Sequence, residues 1–152
     1  MNFSYCPQCG EKLFPKVCGD EGAIPYCGSC KRPFFPFSYA CVICLCVTED
    51  NKEIALIQQD YVSNNYINVA GYIKQGETPE ETVVREVKEE IGLDVVSYKY
   101  IGSYYYEKKD NLMLGYICKV KKDEFALSVE VDKAEWFPLK YAQQILRYDS
   151  IG

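Results

Sequence analysis

The strongest constraint on the fold is a short acidic segment that has helix start and stop signals at its two ends. Thr78 fits the N-cap position, Pro79 fits the first helical position, and Glu81 can complete a capping box with Thr78. Gly92 is a residue at which helices typically end. The sequence therefore predicts a helix over residues 79–91.

This predicted helix places carboxylates beside an apolar stripe. Four aliphatic residues fall on one face at helical spacing: Val83, Val84, Val87 and Ile91. Glu86 and Glu90 lie one above the other at the edge of that face, where they repel each other, and Glu89 lies slightly further round. The helix dipole disfavours Glu89 and Glu90 by a further roughly 0.3–1 kcal/mol each. A divalent cation would reverse this repulsion, whereas a solvated acidic face is the alternative interpretation.

The segment resembles the Nudix box, G-x5-E-x7-R-E-U-x-E-E-x-G-U, in which U is an aliphatic residue. The chain has Gly71-Tyr-Ile-Lys-Gln-Gly-Glu77, then seven residues, then Arg85-Glu-Val-Lys-Glu-Glu-Ile-Gly-Leu93, so every fixed position matches. The resemblance covers residues 40 to about 148. It implies an α/β/α sandwich with a mixed sheet and a hydrolase that splits diphosphate bonds with Mg²⁺ or Mn²⁺.

The resemblance also implies a role for individual residues. The implied magnesium ligands are the carbonyl of Ala70 and the carboxylates of Glu86, Glu89 and Glu90. Glu77 would contribute to the metal network or its water shell, and Arg85 would orient the neighbouring carboxylates. In such a mechanism metals neutralise the diphosphate, water attacks one phosphorus, and a carboxylate accepts the proton.

Glu130 is a candidate ligand or general base outside the box. Residues 130–137 resemble the family's E-I-x-E-A-x-W-F stretch, whose first glutamate lies near the metals. The alternative is a charged residue at a strand edge. Which glutamate acts as the base stays open.

Two pairs of cysteines precede this region. Cys6-Pro-Gln-Cys9 and Cys27-Gly-Ser-Cys30 are separated by seventeen residues, which is within the range typical of zinc sites. Four thiolates with no position for water predict a closed, structural zinc site. A redox pair of cysteines is the weaker alternative.

Composition excludes several kinds of chemistry. The chain has nine cysteines, no histidine and a net charge of −5, so mechanisms that need histidine are excluded. Residues 40–152 carry 13 of the 17 basic and 19 of the 22 acidic side chains, a net of −6, which disfavours nucleic acid as a general partner. No apolar run approaches the roughly 20 residues of a membrane span, and no export signal is visible. We therefore expect a cytoplasmic protein that does not bind membranes.

The pattern of strands and helices predicts an α/β chain. The cysteine pairs predict a zinc ribbon over residues 1–38, and the resemblance implies a Nudix domain over residues 39–152. Prolines near the boundary break regular structure. Cys41 and Cys44 have the spacing of a zinc knuckle, but a strand would point their sulfurs to opposite faces. The predicted strands cover residues 40–47, 53–59, 66–70, 93–106, 112–120 and 125–137, and a closing helix covers residues 139–148.

A zinc ribbon directly ahead of a Nudix domain is similar to the NADH pyrophosphatase subgroup, which cleaves NAD(H) into two mononucleotides. That subgroup has the motif S-Q-P-W-P-F-P-x-S-L-M. Here Ser103, Leu112 and Met113 keep its spacing, but the central Q-P-W-P-F-P is absent. Tyr104 and Tyr106, inside the altered stretch, are candidates for stacking on a substrate ring, and packing within a strand is the alternative.

The leading hypothesis is a pyrophosphohydrolase that acts on a small nucleotide substrate, either an NAD(H)-like dinucleotide or ADP-ribose. Three alternatives stay open: a non-catalytic sensor of a nucleotide or ADP-ribose, a hydrolase of FAD or NTPs, and a hydrolase of NAD-capped RNA. A homodimer is implied by the resemblance alone.

Overall fold

The computed structural model describes residues 3–61 and 63–146. The chain forms two compact units, Met1–Ser38 and Tyr39–Gly152. Within the described ranges, no helix has the length and apolar character needed to cross a membrane.

The first unit is a three-stranded antiparallel sheet with a turn in front of it. Its strands are β1 (Phe14–Val17), β2 (Ala23–Cys27) and β3 (Arg32–Pro33), in that order. Among the described residues of this unit, only Cys6, Ile24 and Cys27 are buried. Units with so small an apolar core usually need a disulfide, a bound metal or association with another chain to be stable.

The second unit is built on a seven-stranded sheet. Its strands are β4 (Tyr39–Thr48), β5 (Glu53–Gln59), β6 (Ser63–Ile67), β7 (Val69–Tyr72), β8 (Val95–Tyr106), β9 (Asn111–Val120) and β10 (Lys133–Pro138). The order is β10-β5-β4-β9-β8, with β6 beside β5 and β7 beside β4. β4 and β9 run parallel and the other pairs are antiparallel, which confirms the predicted mixed sheet.

Helices cover both faces of this sheet. Helix α1 (Pro79–Ile91) has both arms of the capping box, and Gly92 ends it in the left-handed conformation. Val83, Val87 and Ile91 are fully buried in the larger core cluster with β4, β5 and β9. The short helix α2 (Ala142–Ile145) packs into a separate cluster on the opposite face, so the α/β/α sandwich is confirmed. The placement of Val84 on the buried stripe was wrong, since that side chain is 43% exposed.

Three predicted boundaries need correction. The strand at 66–70 is two strands, β6 and β7, which meet at the buried Asn68. The helix over 139–148 is a single 3-10 turn, Leu139–Tyr141, followed by α2, and residues 147–148 lie outside the described ranges.

The third correction concerns the strand predicted over 125–137, because only β10 is a strand there. The backbone at residues 126–128 bonds to the end of α1 instead of to a neighbouring strand. Ala126 N–H donates to the carbonyl of Ile91 at 3.1 Å, and Ser128 N–H donates to the carbonyl of Glu90 at 3.2 Å. The carbonyls at a helix end lack partners within the helix, and this segment supplies them.

Candidate functional site

The acidic face of α1 lies directly against strand β7, which precedes the helix in the chain. Glu86 and Glu90 are both buried, at 9% and 5% exposure. A Cβ atom at Gly71 would lie 2.0 Å from the carboxyl carbon of Glu86, so only glycine allows this approach. The glycine of the box is therefore required by the position of one carboxylate.

Glu90 has one carboxylate oxygen without a partner. Its Oε1 accepts a hydrogen bond from Nε2 of Gln59 at 3.1 Å, whereas Oε2 is buried and has no hydrogen-bond partner among the described residues. Burial, followed by the negative charges of Glu86 and Glu130, raises the pKa of Glu90 to about 7. A buried, unpaired carboxylate oxygen beside other acids suits a cation, and oxygen donors of this kind suit Mg²⁺ or Mn²⁺.

Arg85 uses all five of its N–H groups, four to bind the carboxylates around it and one to bind a backbone carbonyl. Its Nε donates to Glu77 Oε1 at 2.6 Å, and its Nη2 donates to Glu77 Oε2 at 2.8 Å and to the carbonyl of Tyr72 at 3.1 Å. Its Nη1 donates to Glu86 at 2.6 Å and to Glu89 at 2.9 Å. One guanidinium therefore orients three carboxylates.

Glu77 is held on all sides by donors. Besides Arg85, its Oε2 accepts bonds from Lys74 N–H at 3.1 Å and from the Thr82 hydroxyl at 3.0 Å. The hydrogen bonds from Arg85 are the main reason that the pKa of Glu77 is lowered to about 2. This arrangement suits an anchor for Arg85 better than a direct metal ligand, so the predicted share of Glu77 in the metal network stays a prediction.

A cavity of about 460 Å³ opens beside these acids. It brings together most of the residues named from the sequence: Ala70, Arg85, Glu86, Glu89, Glu90, Tyr106 and Glu130. A wider surface depression of about 740 Å³ on the outer side of α1 is more open and contains neither Glu86 nor Glu90. The buried acids identify the smaller cavity as the candidate site.

The two candidate tyrosines lie in different places. Tyr106 is half-buried and lines the cavity. Tyr104, at 47% exposure, packs beside Gly102 and Gly115 and is not part of the lining. A role of either tyrosine in substrate binding stays a prediction.

Several lining residues were missed from the sequence, among them Gln59, Tyr61, Lys109 and Asn111. Gln59 had a signal, because a buried glutamine at the end of an apolar strand needs a polar partner. Lys109 and Asn111 had none, since the turn between β8 and β9 brings them to the cavity.

The four cysteines of the first unit meet in one cluster. The sulfurs of Cys6, Cys9, Cys27 and Cys30 all lie within 4.8 Å of one another. The sulfurs of Cys6 and Cys30 are 3.8 Å apart, and those of Cys9 and Cys27 are 3.5 Å apart. Tetrahedral zinc with Zn–S bonds of about 2.3 Å places its sulfurs about 3.8 Å apart, so the cluster fits a tetrathiolate metal.

The knuckle geometry adds backbone support to this cluster. The N–H of Cys30 donates to the sulfur of Cys27 at 3.3 Å. Gly10 follows the first pair with a φ of 77°, and its N–H donates to the carbonyl of Cys6 at 2.9 Å. Such turns aim N–H groups and sulfurs at one point, which is what a metal knuckle requires.

Comparison with known proteins agrees with this geometry. Residues 39–150 match the family model described as NUDIX domain. The NAD-capped RNA hydrolase NudC of Vibrio atlanticus (strain LGP32) is 30% identical over 141 residues, which are 90% of this chain and 50% of that protein. The protein of the same name from Pseudomonas aeruginosa (strain LESB58) is 30% identical over 136 residues, 89% of this chain and 48% of its own length. The chain thus spans about half the length of the curated relatives that it matches.

Solved structures share the fold at lower identity. A NUDIX hydrolase from Nitrosomonas europaea has a TM-score of 0.72 at 18% identity, covering 95% of this chain and 80% of its own. The NUDIX domain of Shewanella oneidensis NrtR, complexed with ADP ribose, has a TM-score of 0.64 at 16% identity, covering 80% and 83%. The family model matches well over half of the residues and includes the whole acidic site. The resemblance inferred from the sequence is confirmed, and the chain belongs to the Nudix family.

Proposed function

We propose that this chain is a pyrophosphohydrolase that splits the diphosphate bond of a nucleoside diphosphate-linked substrate, an NAD(H)-like dinucleotide or ADP-ribose. The observation that supports it most is the buried, unpaired Oε2 of Glu90, which lies beside Glu86 in a cavity. At about 460 Å³ the cavity has a volume in the usual range for small-molecule sites.

Glu86, Glu89, Glu90 and the carbonyl of Ala70 would hold Mg²⁺ or Mn²⁺. A divalent cation supplies charge neutralisation for the diphosphate and lowers the pKa of water. Arg85 keeps two of these carboxylates in position through hydrogen bonds of 2.6–2.9 Å. Arg85 is in turn held by two hydrogen bonds to Glu77, which explains why the Nudix box requires both residues.

Glu130 is our candidate for the group that accepts the proton of the attacking water. Unlike Glu77 and Glu86, its carboxylate forms no ion pair with Lys or Arg within the described ranges, so its oxygens can accept a hydrogen bond from a water molecule in the cavity. Its negative charge contributes to the raised pKa values of both Glu90 and Tyr61, two residues that line the same cavity.

For the first unit we propose a zinc ribbon with a structural Zn²⁺ bound by Cys6, Cys9, Cys27 and Cys30. The boundary after residue 38, with the ribbon before it and the catalytic domain after it, belongs to the same proposal. A homodimer and a cytoplasmic location stay predictions.

A second substrate candidate is NAD-capped RNA, because curated relatives carry that name. The acidic second unit argues against broad contact with RNA. If only the NAD cap enters the cavity, the rest of the RNA needs little contact with the protein. Cleavage of the diphosphate bond in the cap is then the same reaction as cleavage of free NAD.

The test is a substrate panel with Mg²⁺ and product identification by chromatography. We expect NADH, NAD or ADP-ribose to yield AMP and a second mononucleotide or sugar phosphate, and an RNA with an NAD cap to yield a 5′-monophosphate end. FAD, diadenosine polyphosphates and NTPs complete the panel. Hydrolysis of NTPs alone would exclude the dinucleotide proposal, and tight binding of ADP-ribose without turnover would favour the sensor.

A further inference from the structure

Among the described residues, three basic side chains line the cavity, and two of them already bind oxygen atoms of the protein. All five N–H groups of Arg85 are bound by neighbouring oxygens. The ammonium of Lys74 lies 3.7 Å from Glu89. Lys109 also lines the cavity, but in the part of the chain that the structure describes its ammonium has no carboxylate within 4.0 Å.

The backbone that carries Lys109 is fixed. Lys109 ends the 3-10 turn Glu107–Lys109 between β8 and β9, and the next residue, Asp110, is left-handed with a φ of 53°. The N–H of Asp110 donates to the carbonyl of Glu107 at 3.2 Å, and the N–H of Tyr39 donates to the carbonyl of Asp110 at 3.2 Å. The hydroxyl of Tyr105 donates to the Asp110 carboxylate at 2.8 Å. Lys109 is thus presented to the cavity from an anchored turn.

Lys109 also lies close enough to the acidic wall to share an electrostatic environment with it. The buried thiol of Cys41 lines the same cavity. Burial raises its pKa to about 11, the positive charge of Lys109 opposes that rise, and the negative charge of Glu86 adds to it. The positive charge of Lys109 and the negative charge of Glu86 therefore both act on the thiol of Cys41 in the same cavity.

Resting on the proposed function, we propose that Lys109 is a substrate-binding residue whose ammonium binds a phosphate oxygen of the substrate's diphosphate. The glutamates of α1 repel a diphosphate unless a dication lies between them, whereas an unpaired ammonium attracts it directly. The stretch in which this chain departs from the NADH pyrophosphatase motif, residues 104–109, would thus supply its own phosphate contact.

The adjacent lysine provides a matched control. Lys108 belongs to the same 3-10 turn and has the same charge, but it does not line the cavity. Lys109→Gln and Lys108→Gln therefore remove the same charge from the same turn, and only the first removes it from the site.

The experiment measures kcat and KM for NADH, ADP-ribose and FAD at saturating Mg²⁺. We expect Lys109→Gln to raise KM about 10- to 100-fold, the range of a lost charge-assisted hydrogen bond. The factor should be similar for all three substrates because they share the diphosphate. Lys108→Gln should stay within about 2-fold of the wild type, and Lys109→Arg should recover part of the loss.

Three results would overturn the inference. Equal KM values for the two glutamine variants would mean that Lys109 does not contact substrate. A loss confined to one substrate would assign Lys109 to the variable part of the molecule. A changed Mg²⁺ dependence with an unchanged substrate KM would make it a counter-ion of the glutamates.

The inference can fail separately from the proposed function. If the wild type hydrolyses no diphosphate, the enzyme proposal fails, and the same variants are compared by calorimetric binding of ADP-ribose with Mg²⁺. Weaker binding by Lys109→Gln alone would then support the phosphate contact in a sensor. Equal binding by all variants, or none by the wild type, would overturn it.

Discussion

The two units arrange their candidate metal ligands in opposite ways. In Met1–Ser38 four sulfurs lie within 4.8 Å of one another. Among the described residues this is the only group of three or more acidic or thiol side chains that gathers so closely. In Tyr39–Gly152 hydrogen bonds from Arg85 and Gln59 hold the carboxylates of α1 in separate positions. One buried oxygen, Oε2 of Glu90, has no hydrogen-bond partner among the described residues.

This difference separates a closed site from an open one. Four converging thiols fill every position of a tetrahedral metal and leave no room for a reactant. Carboxylates that are oriented by an arginine leave positions for water and phosphate oxygens, as a reactive magnesium site needs. The arrangement of donors, more than their number, distinguishes a stabilising metal from a reactive one.

The largest expected effect tests the closed site. Cys27→Ser should release the zinc and unfold the first unit, because structural zinc contributes roughly 10–16 kcal/mol in comparable small units and this unit buries little else. Zinc is measured by mass spectrometry and folding by circular dichroism. Cys18→Ser is the matched control, since Cys18 lies between the pairs but outside the cluster. Stoichiometric zinc in Cys27→Ser would show that the cluster is not a tetrathiolate site.

The open site is tested by Glu90→Gln, which keeps the shape of the side chain and removes its charge. We expect kcat to fall on the order of 10²- to 10³-fold, equivalent to about 3–4 kcal/mol of lost transition-state stabilisation. The zinc content should not change. Glu124→Gln, on an exposed segment, is the control. Full activity of Glu90→Gln would remove Glu90 from the metal site.

A third prediction uses the metal-free protein. Because burial raises the pKa of Glu90 from 4.5 to about 7, the folded state binds more protons than the unfolded state between those values. The stability of the second unit should therefore fall as pH rises from about 4.5 to 7, by roughly 2–3 kcal/mol. Urea unfolding in EDTA measures this. Glu90→Gln should flatten the profile, and an equally steep profile in that variant would assign the effect to another group.

The smallest expected effect concerns Arg85, which orients the carboxylates of the open site. Arg85→Lys keeps the charge but has three donors in place of five. We expect turnover to fall about 10- to 100-fold, as is typical when a residue that orients metal ligands is replaced. Kinetics at several Mg²⁺ concentrations check this, with Lys88→Arg as a control on the exposed side of the same helix. Unchanged turnover would mean that orientation of the carboxylates does not limit the reaction.

The sequence was sufficient for parts of the molecule that depend on local patterns. Capping residues and Gly92 predicted the bounds of α1, and a continuous apolar run with a hairpin partner across a polar turn predicted β4 and β5. The C-x2-C spacing occurs in both units but gives two different structures, because the local backbone conformation determines whether the two sulfurs can converge. Cys6 and Cys9 sit on a turn and converge, whereas the strand puts Cys41 and Cys44 into different core clusters.

Other parts depend on tertiary contacts that no local pattern encodes. The position of Lys109 follows from a turn that is fixed by the pairing of β8 with β9 and of β9 with β4. The segment before β10 has strand-like residues, but the free carbonyls of α1 compete for its N–H groups. The unpaired oxygen of Glu90 results from burial by several elements and could be found only in the folded chain.

The docking of this segment onto α1 also determines which side of the cavity can adapt to different substrates. The backbone carbonyl of Glu90 accepts the N–H of Ser128, two residues before Glu130. Swinging Glu130 outward would therefore uncap the helical turn that carries Glu90, so this wall resists change. Adaptation to larger or smaller leaving groups then falls to lining residues outside this segment and outside the proposed phosphate contact, such as Tyr106. Divergence in substrate range among close relatives is expected to concentrate there.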